Sequence, residues 1–222
     1  PPRNSKEYNE LMKNAYVRDY IYHGTAASKM FWTFLTNSEM GAHFGTRGSG
    51  LDRMQHFADS GLYDEIDKYA RIYKAITTAK RPFIMFDVGE WNVTKAMSGI
   101  EENAEFNEME WGQGALHYDA VGGKARFNKL VQSLSQTLAD FGRETFKGFK
   151  ANQEGMLLLQ EWLQGNGYDS IEYSNNVEDR GSTSFIVFRS KDIHTVDARK
   201  LKLEKGDLVE TGEVWTEGGK VQ

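Results

Sequence analysis

Apolar residues recur every three or four positions in several segments of this chain, as they do on the buried side of an amphipathic helix. The clearest patterns cover residues 62–76 and 127–141, and each predicts a long helix. Weaker stretches predict helices in residues 5–19, 51–58 and 153–164 and a helical turn in 28–35. The helix that ends at 164 is followed by Gly-Asn-Gly, a sequence suited to a left-handed cap.

Five short runs rich in aromatic and β-branched residues, bounded by glycine, proline or polar residues, predict strands. They cover residues 20–25, 41–46, 82–88, 168–173 and 183–188. Helices of unequal length separate these strands. This order favours an α+β fold over a doubly wound parallel sheet.

The length of 222 residues suits a single domain with a substantial core. We expect residues 1–222 to form that domain, with its core between about residues 17 and 196. Residues 99–123 are acidic, contain glycine and show no clear period, which predicts an insertion or a mobile loop. Residues 197–222 alternate weakly and predict a C-terminal hairpin or tail.

The composition excludes several classes of protein. The chain has 27 Lys and Arg against 32 Asp and Glu, and this formal charge of −5 excludes a globally basic protein that coats nucleic acid. The absence of Cys excludes disulfides and thiolate nucleophiles. No apolar run approaches about 18 residues, so we expect no membrane span and a cytosolic location. A local basic bias that would suit phosphates comes from Lys124, Arg126, Lys129, Arg143, Lys147 and Lys150.

Familiar metal and phosphate motifs do not occur in the sequence. The five histidines lack the i, i+4 spacing and the neighbouring carboxylates of a helical zinc site, so we expect no bound metal. The glycine-rich run at 45–50 lacks the Gly-Lys-Ser/Thr ending of a phosphate-binding loop. Any chemistry must therefore come from a less obvious arrangement.

Two predicted strands carry a histidine among glycine and aromatic residues, in Tyr-His-Gly-Thr at 22–25 and Gly-Ala-His-Phe-Gly-Thr at 41–46. Glycine lets a flat group approach the backbone closely, and aromatic side chains can stack on its ring. Later in the chain, Glu178 lies in a polar loop between two strands, where a carboxylate would suit glycoside cleavage. For each residue alone, a packing histidine or a solvated carboxylate is the alternative.

Taken in order, these motifs resemble the ADP-ribosyltransferases, which share the fold of diphtheria toxin and the poly(ADP-ribose) polymerases. They are most similar to the compact bacterial and phage branch found in polyvalent phage proteins and toxin systems. Residues 22–25 resemble the opening strand of that branch, 41–46 its second strand, and 167–171 with 182–188 its closing pair. The resemblance implies a split β core of two small, mostly antiparallel sheets that form an NAD cleft, with flanking helices.

The resemblance also implies roles for individual residues. His23 would hydrogen-bond the nicotinamide-side ribose, and the Gly24 backbone would hold the carboxamide. His43 or Phe44, together with Phe57, would enclose the nicotinamide ring. The remaining positions implied to bind the cofactor are Tyr22, Thr25, Gly45, Thr46 and Ser184.

The catalytic carboxylate implied by the resemblance is Glu178, which would act together with His23. The polymerase branch carries a Glu directly before the aromatic residue of its last strand, where this sequence has Ser184. The phage-type branch carries its Glu a few residues earlier, and Glu178 matches that placement. Glu172, on the preceding strand, is the alternative.

By this resemblance the chain would transfer ADP-ribose from NAD, a co-substrate that needs no metal, to a macromolecular acceptor. A nucleic acid is slightly favoured over a protein as the acceptor. The implied setting is a bacterial or phage toxin or defence effector, acting in the cytosol and countered by a neutralising partner. Two alternatives stay open: a non-catalytic module that binds NAD or ADP-ribose, which the Ser184 departure favours, and an NAD glycohydrolase.

Overall fold

The computed structural model describes residues 5–37, 40–61, 66–104, 106–107, 128–129, 132, 136 and 145–221. Helices and strands follow one another in mixed order, and the strands form two mostly antiparallel sheets, so the α+β class is confirmed. The strands are β1 (Ile21–Thr25), β2 (Ala42–Phe44), β3 (Arg71–Thr77), β4 (Pro82–Phe86), β5 (Ser170–Ser174), β6 (Thr183–Val187), β7 (Ile193–Glu204), β8 (Asp207–Thr216) and β9 (Gly219–Lys220). The helices are α1 (Lys6–Met12), α2 (Arg47–Asp59), α3 (Ile66–Tyr69), α4 (Val93–Glu102) and α5 (Thr145–Gly165), with a 3₁₀ turn at Ser190–Asp192.

The larger sheet has the strand order β1-β3-β7-β8-β9, and every neighbouring pair in it is antiparallel. The smaller sheet has the order β2-β6-β5-β4. Its β2–β6 and β6–β5 pairs are antiparallel, whereas β5 and β4 run parallel. Strands β1 and β2, which carry the two histidine motifs, therefore belong to different sheets.

The two sheets share one apolar cluster. Ile21 and Tyr73 contribute to it from the larger sheet, and Phe44 and Val187 contribute from the smaller one. Phe34, from the segment between β1 and β2, is buried in the same cluster. Burial of such side chains contributes about 1.5–3 kcal/mol each relative to exposure, so the cluster holds the two sheets together.

Each sheet also packs on helices. Helices α4 and α5 contact the smaller sheet through a second cluster that includes Met97, Ile100 and Leu159. Helix α2 contacts the larger sheet through Met54, and α1 contacts it through Tyr8. The side chain of Asn92 caps α4 and that of Thr46 caps α2, each accepting a backbone N–H of the first turn, so both helices begin where polar caps occur in the sequence.

The long helix predicted over residues 62–76 is wrong. Residues 62–65 are not described, α3 covers only Ile66–Tyr69, and the chain continues as strand β3. β3 lies between β1 and β7, and Ile72, Tyr73, Ala75 and Ile76 are all buried. A strand covered on both faces has a nearly continuous apolar run, which also satisfies a helical period.

Two shorter helical predictions need correction. Helix α1 ends at Met12 rather than near residue 19, because the Tyr16 N–H instead donates to the Ala79 carbonyl at 2.8 Å. Residues 28–35 form no helix. Phe31 donates its N–H to the Tyr73 hydroxyl at 3.0 Å and stacks on the same ring, so tertiary contacts fix this segment in an irregular conformation.

The other described elements follow the sequence patterns closely. All five predicted strands form, and the helices predicted over 51–58 and 153–164 lie within α2 and α5. The C-terminal segment, expected as a hairpin or tail, pairs β7 with β8 in the larger sheet.

The segment 99–123 is only partly described, and its first residues belong to the fold rather than to an insertion. Gly99 and Ile100 are buried within α4. The buried Asn107 side chain accepts the Ile84 N–H at 2.7 Å and donates to the Ile84 carbonyl at 2.6 Å, and so pairs with β4 as a neighbouring strand would. Of the helix predicted over 127–141, only residues 128–129, 132 and 136 are described, and these are helical. Of the basic residues, Lys124, Arg126 and Arg143 lie outside the described ranges.

Replacing Gly24 by Ala should destabilise the protein. A Cβ at Gly24 would lie 2.4 Å from the Gly50 carbonyl oxygen and 2.8 Å from Met54 Cγ, so α2 would have to move away from β1. We expect a loss of about 1–3 kcal/mol in the free energy of unfolding, measured by urea denaturation. The control is Gly165→Ala at the end of α5, where a Cβ meets nothing within 4 Å. Equal stability of the two variants would contradict this packing.

Candidate functional site

The two sheets join at a single backbone bridge between β1 and β2. Tyr22 donates its N–H to the Gly45 carbonyl, and Gly45 donates its N–H to the Tyr22 carbonyl, both at 2.9 Å. No further ladder pair joins β1 to β2 among the described residues, because each strand continues into its own sheet. The residues that follow and precede the bridge therefore line a cleft between the sheets.

His23, on β1, contacts the backbone of β2 through its imidazole ring. Its Nδ1 lies 2.7 Å from the His43 carbonyl oxygen. Because a carbonyl can only accept, this nitrogen carries the proton, and Nε2 of the neutral ring is then the acceptor. The ring lies against Phe34 and Phe44, with centroid distances of 5.2 and 5.7 Å, which fixes its plane.

Close packing of small residues brings α2 to the edge of the cleft. A side chain at Gly45 would meet Ser184 and Ser49, each at 2.8 Å, and Gly24 lies directly against Gly50. The Thr46 hydroxyl caps α2 by accepting the Ser49 N–H at 3.0 Å. Glycine at these positions is what allows the helix to approach both strands.

Glu178 is held by a turn that starts from a buried amide. The Asn175 side chain, 2% exposed as a residue, accepts the N–H groups of Val177 and Glu178 through Oδ1, both at 2.9 Å. Its Nδ2 donates to Glu178 Oε2 at 3.0 Å and to Ser184 Oγ at 3.1 Å. The carboxylate therefore has a defined position although it lies on a loop.

Arg53, one α2 turn beyond Ser49, lies close to that carboxylate. Its guanidinium lies 3.7 Å from Glu178 Oε1 and 5.4 Å from the centroid of the Phe57 ring. The Arg53 side chain is 43% exposed, so this pair is partly solvated and contributes little to stability. Its position leaves the guanidinium available to an anionic group in the cleft.

An aromatic wall stands beside Glu178. The Trp91 ring lies 5.0 Å from that of Tyr173 and 5.5 Å from that of His43. Burial raises the pKa of Tyr173 well above its usual range, and the negative charges of Asp87 and Glu178 add to the effect. Tyr173 is therefore a neutral phenol at ordinary pH.

These residues enclose three adjoining cavities that share His43 and Arg53 in their walls. The central one is narrow, about 30 Å³. Two larger ones adjoin it. One, of about 250 Å³, lies beside Asp87, Trp91 and Glu178. The other, of about 290 Å³, has a more apolar wall that includes Phe31 and Phe34. Together they offer a site with a more polar part beside Glu178 and a more apolar part beside Phe34.

The structure brings most of the predicted site residues to the central cavity. Those in its wall are Tyr22, His23, Gly24, His43, Phe44, Gly45, Glu178 and Ser184. Glu172, the alternative carboxylate, does not line the central cavity but lines another one with Thr46 and Phe185, whose wall shares Tyr22 and Gly45 with the central cavity.

Three predicted residues do not line the central cavity. The Thr25 hydroxyl accepts the Ala27 N–H at 3.2 Å, and Thr46 caps α2. Phe57 packs into the apolar cluster under α2 that also contains Met54, so the ring wall expected from Phe57 is not in the central cavity. Aromatic walls come instead from Phe44 and Tyr173 in the central cavity and from Trp91 in the one that adjoins it.

Sequence reasoning missed several residues that the structure adds to the site. They are Ser49, Gly50, Arg53, Trp91, Tyr173 and Asn175. Asn175 is buried, and its side chain is committed to the Glu178 turn. Thr46, which caps the run 47–59, is a local signal for where α2 begins but gives no indication that α2 belongs to the site.

The glycine-rich run at 45–50 leads into the first turn of α2, and the Asp179 carboxylate lies against that turn. Asp179 accepts a hydrogen bond from the Thr46 hydroxyl, and its carboxylate lies 2.7 Å from where a Cβ on Gly48 would be. The Asp179 N–H is in turn held by Asp52 at 2.9 Å. A phosphate would meet negative charge at this helix end, so Arg53 is the better place for an anion.

Comparison with known proteins assigns no family to this chain. No family model, curated protein or solved structure is similar to this chain at a significant level. Within the described ranges, no group of three His, Asp or Glu side chains is arranged to hold a metal ion. No helix in the described part of the chain is both long and apolar enough to cross a membrane.

The raised pKa of Tyr173 predicts a specific loss of stability at alkaline pH. Below the usual tyrosine pKa of 10.0 both folded and unfolded states are protonated. Above it only the unfolded state loses the proton, so the wild type becomes less stable as the pH rises toward the folded-state pKa. We expect the free energy of unfolding to fall more steeply in wild type than in Tyr173→Phe, with a difference in slope that approaches about 1.4 kcal/mol per pH unit only well above pH 10.0.

Urea unfolding at several pH values between about 9 and 11 measures this difference. Burial also raises the pKa values of Tyr22 and Tyr73, but both residues are present in the two proteins and cancel in the comparison. Parallel stability curves for wild type and Tyr173→Phe would show that Tyr173 titrates normally in the folded state.

Proposed function

We propose that this protein transfers ADP-ribose from NAD to an acceptor and releases nicotinamide. The observation that carries the proposal is that motif residues far apart in the sequence, at 22–24, 43–45, 178 and 184, line one narrow cleft between two sheets. Such an arrangement supplies backbone amide groups, aromatic rings and a carboxylate to one ligand, as a nicotinamide riboside requires.

In the proposed mechanism, the carboxylate opposes the charge that develops on the ribose. As the bond between nicotinamide and C1 of the ribose breaks, its electron pair leaves with the nicotinamide nitrogen, which becomes neutral. The ribose gains oxocarbenium character, which the anionic Glu178 stabilises. The acceptor then attacks C1 and loses a proton, for which Glu178 is the nearest base.

Other residues would bind and orient the dinucleotide. His23 donates through Nδ1 to the His43 carbonyl, so in the neutral ring Nε2 is the acceptor that would receive a hydrogen bond from a ribose hydroxyl. Arg53 lines all three cavities and is the cation suited to the diphosphate. Tyr173 and Phe44 offer ring faces or edges to the nicotinamide.

The acceptor would reach C1 through the cavity beside Trp91, because Glu178 lies in its wall. Nucleic acid and protein are both possible acceptors. Incubation with NAD labelled in the adenylate phosphate, and with separate pools of DNA, RNA and protein, identifies which class becomes labelled. Label in none of the pools, with free ADP-ribose as the product, would indicate an NAD glycohydrolase instead.

A non-catalytic NAD-binding module is the second candidate. It is favoured by Ser184, which stands where the polymerase branch has its Glu and whose hydroxyl is occupied by Asn175. Release of nicotinamide separates the two functions, since a binding module would retain NAD intact. Binding of NAD without any nicotinamide release would support the module.

Replacing Glu178 by Gln should lower the rate of nicotinamide release by about 10²–10³-fold, because the amide has no negative charge for the oxocarbenium-like ribose. NAD binding, measured by calorimetry, should change little. The matched control is Glu172→Gln, since Glu172 lies on the neighbouring strand and lines a different cavity. Loss of activity in Glu172→Gln, with Glu178→Gln unaffected, would move the catalytic role to Glu172.

A further inference from the structure

We propose that Asn175 is the positioning residue for the Glu178 carboxylate, whose direction in the wall of the cleft it fixes. This inference rests on the proposed function, because it assigns Glu178 the task of stabilising positive charge. It adds to that function a residue that touches neither the nicotinamide nor the reacting carbon.

The first step of the argument is that the Asn175 amide has only one orientation. Its oxygen faces two N–H donors, those of Val177 and Glu178 at 2.9 Å. Rotation by 180° would place NH₂ against these donors and lose both hydrogen bonds. The NH₂ group must therefore face Glu178 Oε2 and Ser184 Oγ, as it does at 3.0 and 3.1 Å.

The second step is that the surrounding backbone holds Asn175 in place. Its N–H donates to the Ser182 carbonyl and its carbonyl accepts the Gly181 N–H, both at 2.8 Å. Ser184, which accepts the second hydrogen bond from the Asn175 amide, is buried in β6 and also shares a hydrogen bond with the Tyr173 phenol. Asn175 is thus a rigid donor rather than one that turns to follow Glu178.

The third step concerns charge. An amide N–H donated to a carboxylate stabilises its ionised form and makes protonation less favourable. An aspartate at 175 has the same shape and can still accept the two backbone N–H groups. However, it would replace the donor by a second anion at hydrogen-bond distance from Glu178. Asn175→Asp therefore removes the N–H donor to Glu178 but keeps the acceptor that forms the turn.

Other charged and titratable groups near Glu178 come from several elements. Arg53 approaches from α2 at 3.7 Å, and Tyr173 from β5 is electrostatically coupled to Glu178. Asp87 and His43 line the same cavity. Asp179 follows Glu178 and is held by Thr46 and Asp52. All of them are unchanged in the variants, so a difference in titration between wild type and Asn175→Asp reports on position 175.

The experiment compares wild type, Asn175→Asp and Asn176→Asp. Asn176→Asp is the matched control, because it adds the same charge one residue away on an exposed side chain. The rate of nicotinamide release at saturating NAD is measured against pH. We expect the acidic limb to move up by about one pH unit or more in Asn175→Asp, so that the rate at acidic pH falls about tenfold and recovers as the pH rises. Asn176→Asp should follow wild type.

A second measurement does not depend on activity. The ¹³C resonance of the Glu178 carboxyl, identified by its loss in Glu178→Gln, is titrated by NMR in the same proteins. We expect the pKa of Glu178 to rise by about one unit or more in Asn175→Asp and to stay unchanged in Asn176→Asp.

The outcomes separate this inference from the proposed function. Unchanged pH profiles and an unchanged Glu178 pKa in folded Asn175→Asp would overturn the role of Asn175 while leaving the transferase function intact. A raised Glu178 pKa in a protein that releases no nicotinamide would support the positioning contact and refute the proposed function.

Discussion

The site depends on the single backbone bridge between Tyr22 and Gly45. Its two hydrogen bonds join a five-stranded sheet to a four-stranded one at one point, after which β1 and β2 diverge. Without this bridge the sheets would still share an apolar core, but no backbone pair among the described residues would align β1 with β2. Because His23 directly follows Tyr22, the bridge also sets the distance over which its imidazole reaches the His43 carbonyl.

The carboxylate in the cleft illustrates how a loop can hold a charged group as firmly as a strand does. A strand fixes a side chain by its alternation, so Glu172, between the buried Ile171 and Tyr173, faces away from the cleft. Glu178 reaches the cleft from a turn instead. The turn is ordered by the buried Asn175 amide, which hydrogen-bonds both the backbone N–H and the side chain of Glu178. Because the amide is buried, breaking these hydrogen bonds would leave polar groups without water and would be costly.

The strands and the histidine motifs could be predicted from sequence because their signals are local: glycine-bounded apolar runs of five or six residues. Strand β3 could not be predicted, because a strand buried on both faces has a nearly continuous apolar run, and such a run also fits the period of a helix. Arg53 was missed because its place in the cleft depends on the approach of α2 to β1, where Gly24 packs against Gly50. No local pattern in the sequence indicates this contact between distant residues. Which cavity Glu172 lines likewise depends on the register of β5, which no local pattern shows.

The Asn107 side chain has a consequence for self-association. Strand β4 is the outermost strand of the smaller sheet among the described residues, and such an edge normally offers unpaired backbone groups to any passing strand. Asn107 occupies both groups of Ile84 with a single amide. A side chain cannot extend a ladder as a strand would, so the sheet is closed to growth at its middle. A strand that added to β4 would have to displace this amide at Ile84, so we expect Asn107 to hinder edge-to-edge association there.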